Sequence, residues 1–177
     1  MQNPGLIHIY YGTGKGKTSA ALGLALRAAG YGKKVVIVQF LKSWKCGEHN
    51  TLPNLQGITL IRGKTVKKKF ISEMTDEEKQ LTKEWQEKSL KKALDLVEKK
   101  QCDVLILDEI IDAGNLGMIS DKKLKELILN KPVSLELVLT GHDPNPLLLE
   151  QADYVTEMVK HKHPYDTGIN ARKGIEF

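Results

Sequence analysis

The sequence predicts an α/β fold with a mostly parallel central sheet flanked by helices, and three observations support this. Short apolar segments alternate with longer helical ones along the 177 residues. A glycine-rich segment, Gly12–Thr18, joins the first apolar segment to the first helix, and a later apolar segment, Val104–Leu107, ends in Asp108 and Glu109. Because parallel strands have their carboxyl ends at one edge of a sheet, we expect both features beside one ligand crevice.

Each predicted element has a local reason. Strands are expected where β-branched and apolar residues cluster between turn signals, at Leu6–Tyr10, Val35–Phe40, Ile58–Ile61, Val104–Leu107, Leu135–Thr140 and Tyr154–Met158. Helices are expected over Lys17–Ala29, Asp76–Lys100, Asp121–Asn130 and Asn145–Gln151. The second of these begins after Thr75, a good N-cap with Glu78 three residues on. The sequence has no visible repeat or interdomain linker, so residues 1–177 are predicted to form a single domain.

Composition and net charge indicate which kinds of protein and ligand fit this sequence. Hydrophobic residues make up 41% of the chain and the net charge is +5, which indicates a globular protein and favours anionic ligands without selecting one. Lysines lie among acidic neighbours and aromatic residues make up only 6%, which argues against nucleic-acid binding. Cys46 and Cys102 lack metal-ligand spacing. Without a signal peptide or a membrane-spanning apolar run, the chain is expected to be cytoplasmic and to have no membrane partner.

The segment Gly12–Thr18 is interpreted as a phosphate-binding loop. Between a strand and a helix N-terminus, backbone N–H groups and the helix dipole attract an anion. Lys17 is expected to contact a phosphate oxygen and the Thr18 hydroxyl a magnesium ion. The strict pattern has a glycine where Tyr11 stands, so a glycine-rich turn that binds nothing is the alternative. The nucleotide-binding candidates in the loop are Gly12, Thr13, Gly14, Lys15, Gly16, Lys17 and Thr18.

Two carboxylates are expected opposite this loop. Asp108 would hold magnesium directly or through water, and Glu109 would ligate the metal or position a reactant. Acidic residues are common after strands, so this prediction depends on the loop being present in the same chain.

Two polar regions admit both a structural and a functional interpretation. The basic run Lys64–Lys69 is either a solvated loop or a mobile segment over the site. Trp44 and Phe70 either pack locally or offer a surface to a flat ligand. The C-terminal residues 160–177 are expected to fold over a site or a subunit partner. Their histidines, together with His142, are expected to form hydrogen bonds rather than a metal site.

Four segments together resemble the P-loop type of ATP:corrinoid adenosyltransferase. They are the glycine-rich loop, Leu107–Glu109, Leu139–Gly141 and the tail motif His163–Glu176. The resemblance extends from about Leu6 to Phe177, and the tail motif is its most discriminating part. Tyr11 in place of the first glycine is similar to the family's own form of the loop.

The resemblance implies a RecA-like P-loop domain, usually a homodimer. It implies transfer of the 5′-deoxyadenosyl group of ATP to the cobalt(I) of cobalamin or a related corrinoid, with release of triphosphate and a reduced flavoprotein as electron donor. Lys17 and Glu109 are then the catalytic candidates, and Lys15, Lys17 and a Mg²⁺ ion held by Thr18 with Asp108 or Glu109 stabilise the triphosphate. Arg27 matches a family arginine that helps to bind phosphates.

The corrinoid side departs from the family pattern. The usual Phe-Thr-Trp is missing from Gly63–Phe70, which leaves Phe70, with Trp44, as the candidate corrinoid contacts. The usual Thr-Gly-Arg reads Thr140-Gly141-His142. Two alternatives therefore stay open. One is a P-loop NTPase or kinase that cleaves the β–γ bond, and the other is a non-catalytic nucleotide or corrinoid sensor.

Overall fold

The computed structural model describes residues 4–66 and 69–177. Its strands are β1 (Ile7–Tyr11), β2 (Val35–Gln39), β3 (Ile58–Arg62), β4 (Val104–Asp108), β5 (Glu136–Thr140) and β6 (Tyr154–Glu157). Its α-helices are α1 (Lys17–Gly30), α2 (Glu48–Thr51), α3 (Asp76–Glu98), α4 (Ile110–Asn115), α5 (Asp121–Leu129) and α6 (Pro146–Gln151). The strands form one six-stranded sheet in the order β3-β2-β4-β5-β1-β6, and every pair of neighbours is parallel. The predicted α/β class is confirmed.

The neighbouring interior strands β2 and β4 are buried along their whole length. Strands covered on both faces have continuous apolar sequences, as the Val-Val-Ile-Val and Val-Leu-Ile-Leu runs show. Each of these strands nevertheless ends in a polar residue, and the register pairs Gln39 with Asp108. A buried amide and a buried carboxyl group are thus neighbours at the carboxyl edge of the sheet.

The two faces of the sheet are covered by different helices. On one face, Ala21 and Ala25 of α1 pack in a cluster with Ile37 of β2 and Ile106 of β4. On the other face, a larger cluster joins the alternate strand residues to buried residues of α3, α4 and α5. Because successive strand side chains point to opposite faces, one apolar run supplies both clusters. Packing on both faces of the sheet fixes the positions of β1 and β4, whose carboxyl ends lead into the glycine-rich loop and the two carboxylates.

Side-chain caps begin α3 and α5, and the cap at α3 is the expected one. The Thr75 hydroxyl accepts a hydrogen bond from the Glu78 N–H, and the Glu78 carboxylate accepts one from the Thr75 N–H, which completes a capping box at α3. Ser120 caps α5 through the N–H of Lys123.

The sequence analysis places every strand and the helices α1, α3, α5 and α6 within two residues of their observed ends but misses α2 and α4. Glu109, which precedes α4, has φ 64° in the left-handed region, so its sequence offers no ordinary helix start. Within residues 4–66 and 69–177, no helix combines the length and the apolar character that a membrane crossing needs.

Candidate active site

The carboxyl ends of four strands meet at one edge of the sheet. The glycine-rich loop Gly12–Thr18 follows β1, Gln39 ends β2, Asp108 ends β4 and Thr140 ends β5. The predicted loop and the predicted carboxylates are therefore brought to one place, as the parallel topology requires.

The glycine-rich loop lies directly against the chain that follows β6. The Gly14 N–H donates a hydrogen bond to the Met158 carbonyl oxygen at 2.6 Å, and the Gly12 N–H donates one to the His142 carbonyl oxygen at 3.1 Å. A Cβ atom on either glycine would stand 2.7 Å from the same Met158 oxygen, and Gly12 also has φ 104°. Only glycine fits at these two positions, so the loop's glycines serve close packing as well as ligand approach.

The Lys17 side chain folds back onto the backbone of the glycine-rich loop. Its Nζ donates hydrogen bonds to the carbonyl oxygens of Gly12 at 2.7 Å and Gly14 at 3.0 Å. Burial lowers the pKa of Lys17, and the negative charges of Asp112, Glu109 and Asp108 oppose that shift. The ammonium thus lies at the centre of the loop, where an anion bound to the loop would meet it.

Asp108 is the most constrained residue of the site. Its side chain is fully buried, and its Oδ1 accepts hydrogen bonds from the hydroxyls of Thr18 at 2.9 Å and Thr140 at 2.8 Å. Its Oδ2 accepts one from Gln39 Nε2 at 3.2 Å and lies 2.8 Å from Lys42 Nζ. Four donors from three segments of chain hold one carboxylate, so its orientation is fixed before any ligand binds.

The oxygen atoms at this position suit a magnesium ion. Mg²⁺ takes hard oxygen ligands and is usually bound through one or two carboxylates together with substrate phosphates. Here the Thr18 hydroxyl and the Asp108 carboxylate are in direct contact beside the loop. The ammonium of Lys42 already lies at this carboxylate, which indicates a local environment that favours a cation.

Lys42 draws together the acidic groups of the site. Its Nζ lies 2.8 Å from Asp108, 3.6 Å from Glu48 and 4.0 Å from Glu109. Burial acts to lower the pKa of Lys42, but the charges of Asp108 and Glu109 outweigh it, so that this pKa stands above its ordinary value. The ammonium therefore stays charged between the carboxylates.

Glu109 lies at the border between the buried site and a large cavity. Its N–H donates to the Thr140 hydroxyl at 2.8 Å, which holds the left-handed backbone in place. Burial raises the pKa of Glu109 to about 7, the neighbouring charges of Asp108 and Asp112 add to the rise, and Lys42 opposes it. A carboxyl group that titrates near neutral pH is typical of functional sites.

The cavity has a volume of about 1190 Å³ and opens beside Thr18 and Glu109. Single small-molecule sites commonly measure about 300–1,000 Å³, so this space exceeds what one such ligand needs. Its wall is partly apolar, with Leu22, Leu41, Ile71 and Leu116 among the lining residues.

Trp44 and Phe70 form an aromatic pair on the cavity wall. Their ring centroids are 5.3 Å apart with planes inclined by 52°, and both side chains remain partly exposed. The sequence allowed either local packing or a surface for a flat ligand. The structure has features of both, because the two rings pack on each other and also line the cavity. Of the basic run, Lys69 pairs with Glu78 at 2.7 Å, and Lys67 and Lys68 lie outside the described residues.

The C-terminal tail reaches the site of its own chain. Ile175 and Phe177 line the cavity, and Glu176 pairs with Lys15 of the loop and with Arg172, each at 3.0 Å. Hydrogen bonds from Arg172 and from Lys15 lower the pKa of Glu176 to about 2. Of the two positions expected for the tail, over a site or over a subunit partner, the structure shows contact with the cavity of its own chain.

Arg27 is not brought to the loop. It lies exposed in the last turn of α1, about 15 Å along the helix axis from Lys17 at 1.5 Å per residue. An arginine on the same helix as the loop lysine was a reasonable candidate, but the helix runs away from the site.

Sequence reasoning missed Gln39 and Lys42. Gln39 could have been found as the one polar residue in an apolar strand. Lys42 carries no such signal, because a lysine after a strand is ordinary, and only the pairing of β2 with β4 places it opposite Asp108.

His142 forms a hydrogen bond with Asp112 at 2.9 Å, and His163 accepts one from the Tyr165 N–H, in line with the hydrogen-bonding roles expected of these histidines.

Comparison with known proteins identifies the family. The family model described as ATP:corrinoid adenosyltransferase BtuR/CobO/CobP matches residues 3–177. The chain belongs to this family. The match includes the loop, the two carboxylates and the tail, the segments that surround the cavity.

Individual relatives resemble the chain over nearly its whole length. The corrinoid adenosyltransferase of Pseudomonas aeruginosa is 32% identical over 174 residues, which cover 98% of this chain and 84% of that protein. The corrinoid adenosyltransferase of a Sinorhizobium species is 33% identical, covering 98% and 80%. Corrinoid adenosyltransferase CobA of Salmonella typhimurium is 30% identical, covering 100% and 88%.

Proposed function

We propose that this protein transfers the 5′-deoxyadenosyl group of ATP to the cobalt(I) of a corrinoid and releases triphosphate. One observation carries the proposal. Thr18, at the end of the glycine-rich loop, and Glu109, next to the buried Asp108, line a cavity of about 1190 Å³ that is walled by an aromatic pair and by the tail, in a member of the ATP:corrinoid adenosyltransferase family. The site thus has room for two substrates side by side.

The reaction needs little acid–base chemistry from the protein. The cobalt(I) electron pair attacks the ribose 5′ carbon, the bond from that carbon to the triphosphate oxygen breaks, and its electron pair leaves with triphosphate. Because no proton is transferred in this step, no general base is required. Holding the cobalt and the 5′ carbon in line supplies about 7–11 kcal/mol of the barrier in well-oriented reactions of this kind.

The loop binds and stabilises the triphosphate. The backbone of Gly12–Gly16 faces the phosphates, and Lys15 and Lys17 contribute positive charge to the leaving group. Thr18 and Asp108 are the oxygen ligands that fit a magnesium ion, with Glu109 next to them. When bound, that ion contributes positive charge at the phosphates.

Trp44 and Phe70 provide the corrinoid contact. Their exposed rings line the cavity and can pack against the lower face of the flat corrinoid macrocycle. The resemblance assigns such aromatics to favouring a four-coordinate cobalt(II) corrinoid, which eases its reduction to cobalt(I). We also infer a single-domain cytoplasmic protein that acts as a homodimer with a reduced flavoprotein as electron donor.

An anaerobic assay tests the function. Protein, MgATP and chemically reduced cobalamin are mixed, the adenosylcobalamin absorption spectrum is followed, and the phosphate products are separated by ion exchange. The expected products are adenosylcobalamin and triphosphate in equal amounts. Formation of ADP and phosphate without an adenosylated corrinoid would indicate the NTPase alternative, and tight ATP binding without any product would indicate a sensor.

A further inference from the structure

A chain of hydrogen bonds leads from α2 to the carboxylate of the site. His49 Nε2 lies 2.8 Å from Gln39 Oε1, and Gln39 Nε2 lies 3.2 Å from Asp108 Oδ2. Gln39 Nε2 also donates to Glu48 Oε1 at 3.1 Å. His49 is therefore connected to Asp108 through one intervening side chain.

The partners of His49 define which ring nitrogen carries the proton. The Cys46 N–H points at His49 Nδ1 at 3.0 Å, so Nδ1 must accept a hydrogen bond. The proton of the neutral ring is then on Nε2, which donates to the Gln39 oxygen. Burial, followed by the positive charge of Arg62, lowers the pKa of His49 and favours this neutral ring, while the adjacent Glu48 opposes the shift and Lys42 and Lys45 add to it.

This tautomer in turn fixes the orientation of the Gln39 amide. The Gln39 side chain has no solvent exposure, so an oxygen left without a donor there is costly. The reversed amide would turn its oxygen toward the carboxylates of Glu48 and Asp108 and would face His49 with a second donor. Only one orientation of the amide satisfies all three partners, His49, Glu48 and Asp108, and it directs an N–H at Asp108.

Cys46, Glu48 and His49 also have ligand atoms within 4.8 Å of one another, which raises the possibility of a metal site. Both ring nitrogens of His49 already have partners in the structure, and one of them would have to be released to bind a metal. The hydrogen-bonded role accounts for the ring without such a change.

We propose that His49 is a positioning residue that orients Asp108 through Gln39, an inference that rests on the proposed function. Asp108 shares its Oδ1 with Thr18 and Thr140 and its Oδ2 with Gln39 and Lys42. The Gln39 N–H and the Lys42 ammonium are the two donors at Oδ2. Loss of the His49 donor leaves the Gln39 amide free to reverse, so Oδ2 of Asp108 loses one of its two donors and is held less firmly toward the nucleotide and its metal ion.

The test compares three variants. His49→Ala removes the donor, His49→Gln restores an N–H in reach of Gln39, and Asn50→Ala changes the neighbouring exposed residue as a control. Loss of a partner that orients a metal ligand typically costs about 10–100-fold in metal affinity or activity. We expect His49→Ala to weaken magnesium-dependent ATP binding, measured by calorimetry, about tenfold, with His49→Gln and Asn50→Ala close to the wild type and the corrinoid KM unchanged in all three.

A double-mutant cycle tests the route through Gln39. In a Gln39→Met background, His49→Ala should cause no further loss of ATP affinity, because the connecting amide is already absent. A loss of equal size in both backgrounds would overturn the proposal.

Nitrogen-15 NMR of the wild-type protein provides a readout independent of activity. We expect His49 to be neutral with its proton on Nε2 at neutral pH, and a proton on Nδ1 would overturn the assignment. Stoichiometric zinc in native mass spectra, lost in His49→Gln, would overturn it in favour of a metal site. If the wild type binds MgATP but forms no adenosylated corrinoid, the proposed function fails, while the calorimetry and NMR still decide the role of His49.

Discussion

The hydroxyl of Thr18 donates a 2.9 Å hydrogen bond to Oδ1 of Asp108. The two residues belong to segments that follow β1 and end β4, and β5 lies between these strands in the sheet. Thr140 at the end of β5 donates to the same oxygen at 2.8 Å, so three strands converge on one atom. The phosphate-type loop and the carboxylate therefore form one unit, and changes in either should affect the other.

Lys17→Ala tests the loop. The variant removes the ammonium at the centre of the loop and with it a positive charge facing the leaving triphosphate. Removing one such preorganised group typically costs about 100–1,000-fold in turnover, and we expect a loss in this range in the anaerobic adenosylation assay. Lys33→Ala, which removes an exposed lysine beyond the other end of α1, is the control. Near-normal turnover of Lys17→Ala would show that the loop does not bind the triphosphate.

Asp108→Ala should destabilise the protein more than Lys42→Met does. Removing the carboxylate leaves the largely buried Lys42 ammonium without its nearest partner, and breaking a buried pair in this way costs about 3–5 kcal/mol. Removing Lys42 instead leaves Asp108 with donors from Thr18, Thr140 and Gln39. Urea unfolding at one pH measures both variants. If Lys42→Met proved the more damaging change, Lys42 rather than Asp108 would be the centre of the network.

The fold was largely predictable from the sequence, because β2 and β4 are continuous apolar runs and α3 has an explicit capping box. The nearness of Thr18 to Asp108 was predictable as well, since parallel topology brings strand ends together. Gln39 could be noticed as the one polar residue of an apolar strand, but its role could not be predicted. The roles of Gln39, Lys42 and His49 depend on contacts of β2 with β4 and α2, which spacing along the chain does not encode. Arg27 is on the helix that follows the loop, but the helix rise separates it from Lys17 by about 15 Å along the axis.

Glu109→Gln should change how stability depends on pH. The pKa of Glu109 in the folded protein is about 7, above the 4.5 of an ordinary glutamate, so the folded state binds this proton more tightly than the unfolded state. The stability that Glu109 contributes by binding this proton is fully present below pH 4.5 and is lost as pH rises through 7. The variant carries no such loss, so its stability relative to the wild type should increase between pH 5 and pH 8.

The side chain of Glu109 is 35% exposed, so solvent screening reduces the full linkage value of about 3 kcal/mol to about 1–2 kcal/mol. Urea unfolding of the nucleotide-free protein at both pH values measures it, and Glu84→Gln, at an exposed site on α3, controls for the loss of one carboxylate. A stability difference between Glu109→Gln and the wild type that is the same at pH 5 and pH 8 would contradict the raised pKa.

Phe70→Ala separates the two stages of the proposed reaction. Phe70 packs against Trp44 on the cavity wall, where a ring can exclude a ligand from the lower face of the corrinoid. Removing it should slow the reduction of cobalt(II) corrinoid more than the adenosylation of preformed cobalt(I), because only reduction depends on a four-coordinate cobalt(II). Rates from cob(II)alamin with a flavoprotein donor and from chemically reduced cobalamin are compared for the same preparation. Tyr31→Ala removes an exposed aromatic ring at the end of α1 and should alter neither rate. Equal losses in the two assays of Phe70→Ala would assign Phe70 to general corrinoid binding instead of cobalt(II) coordination.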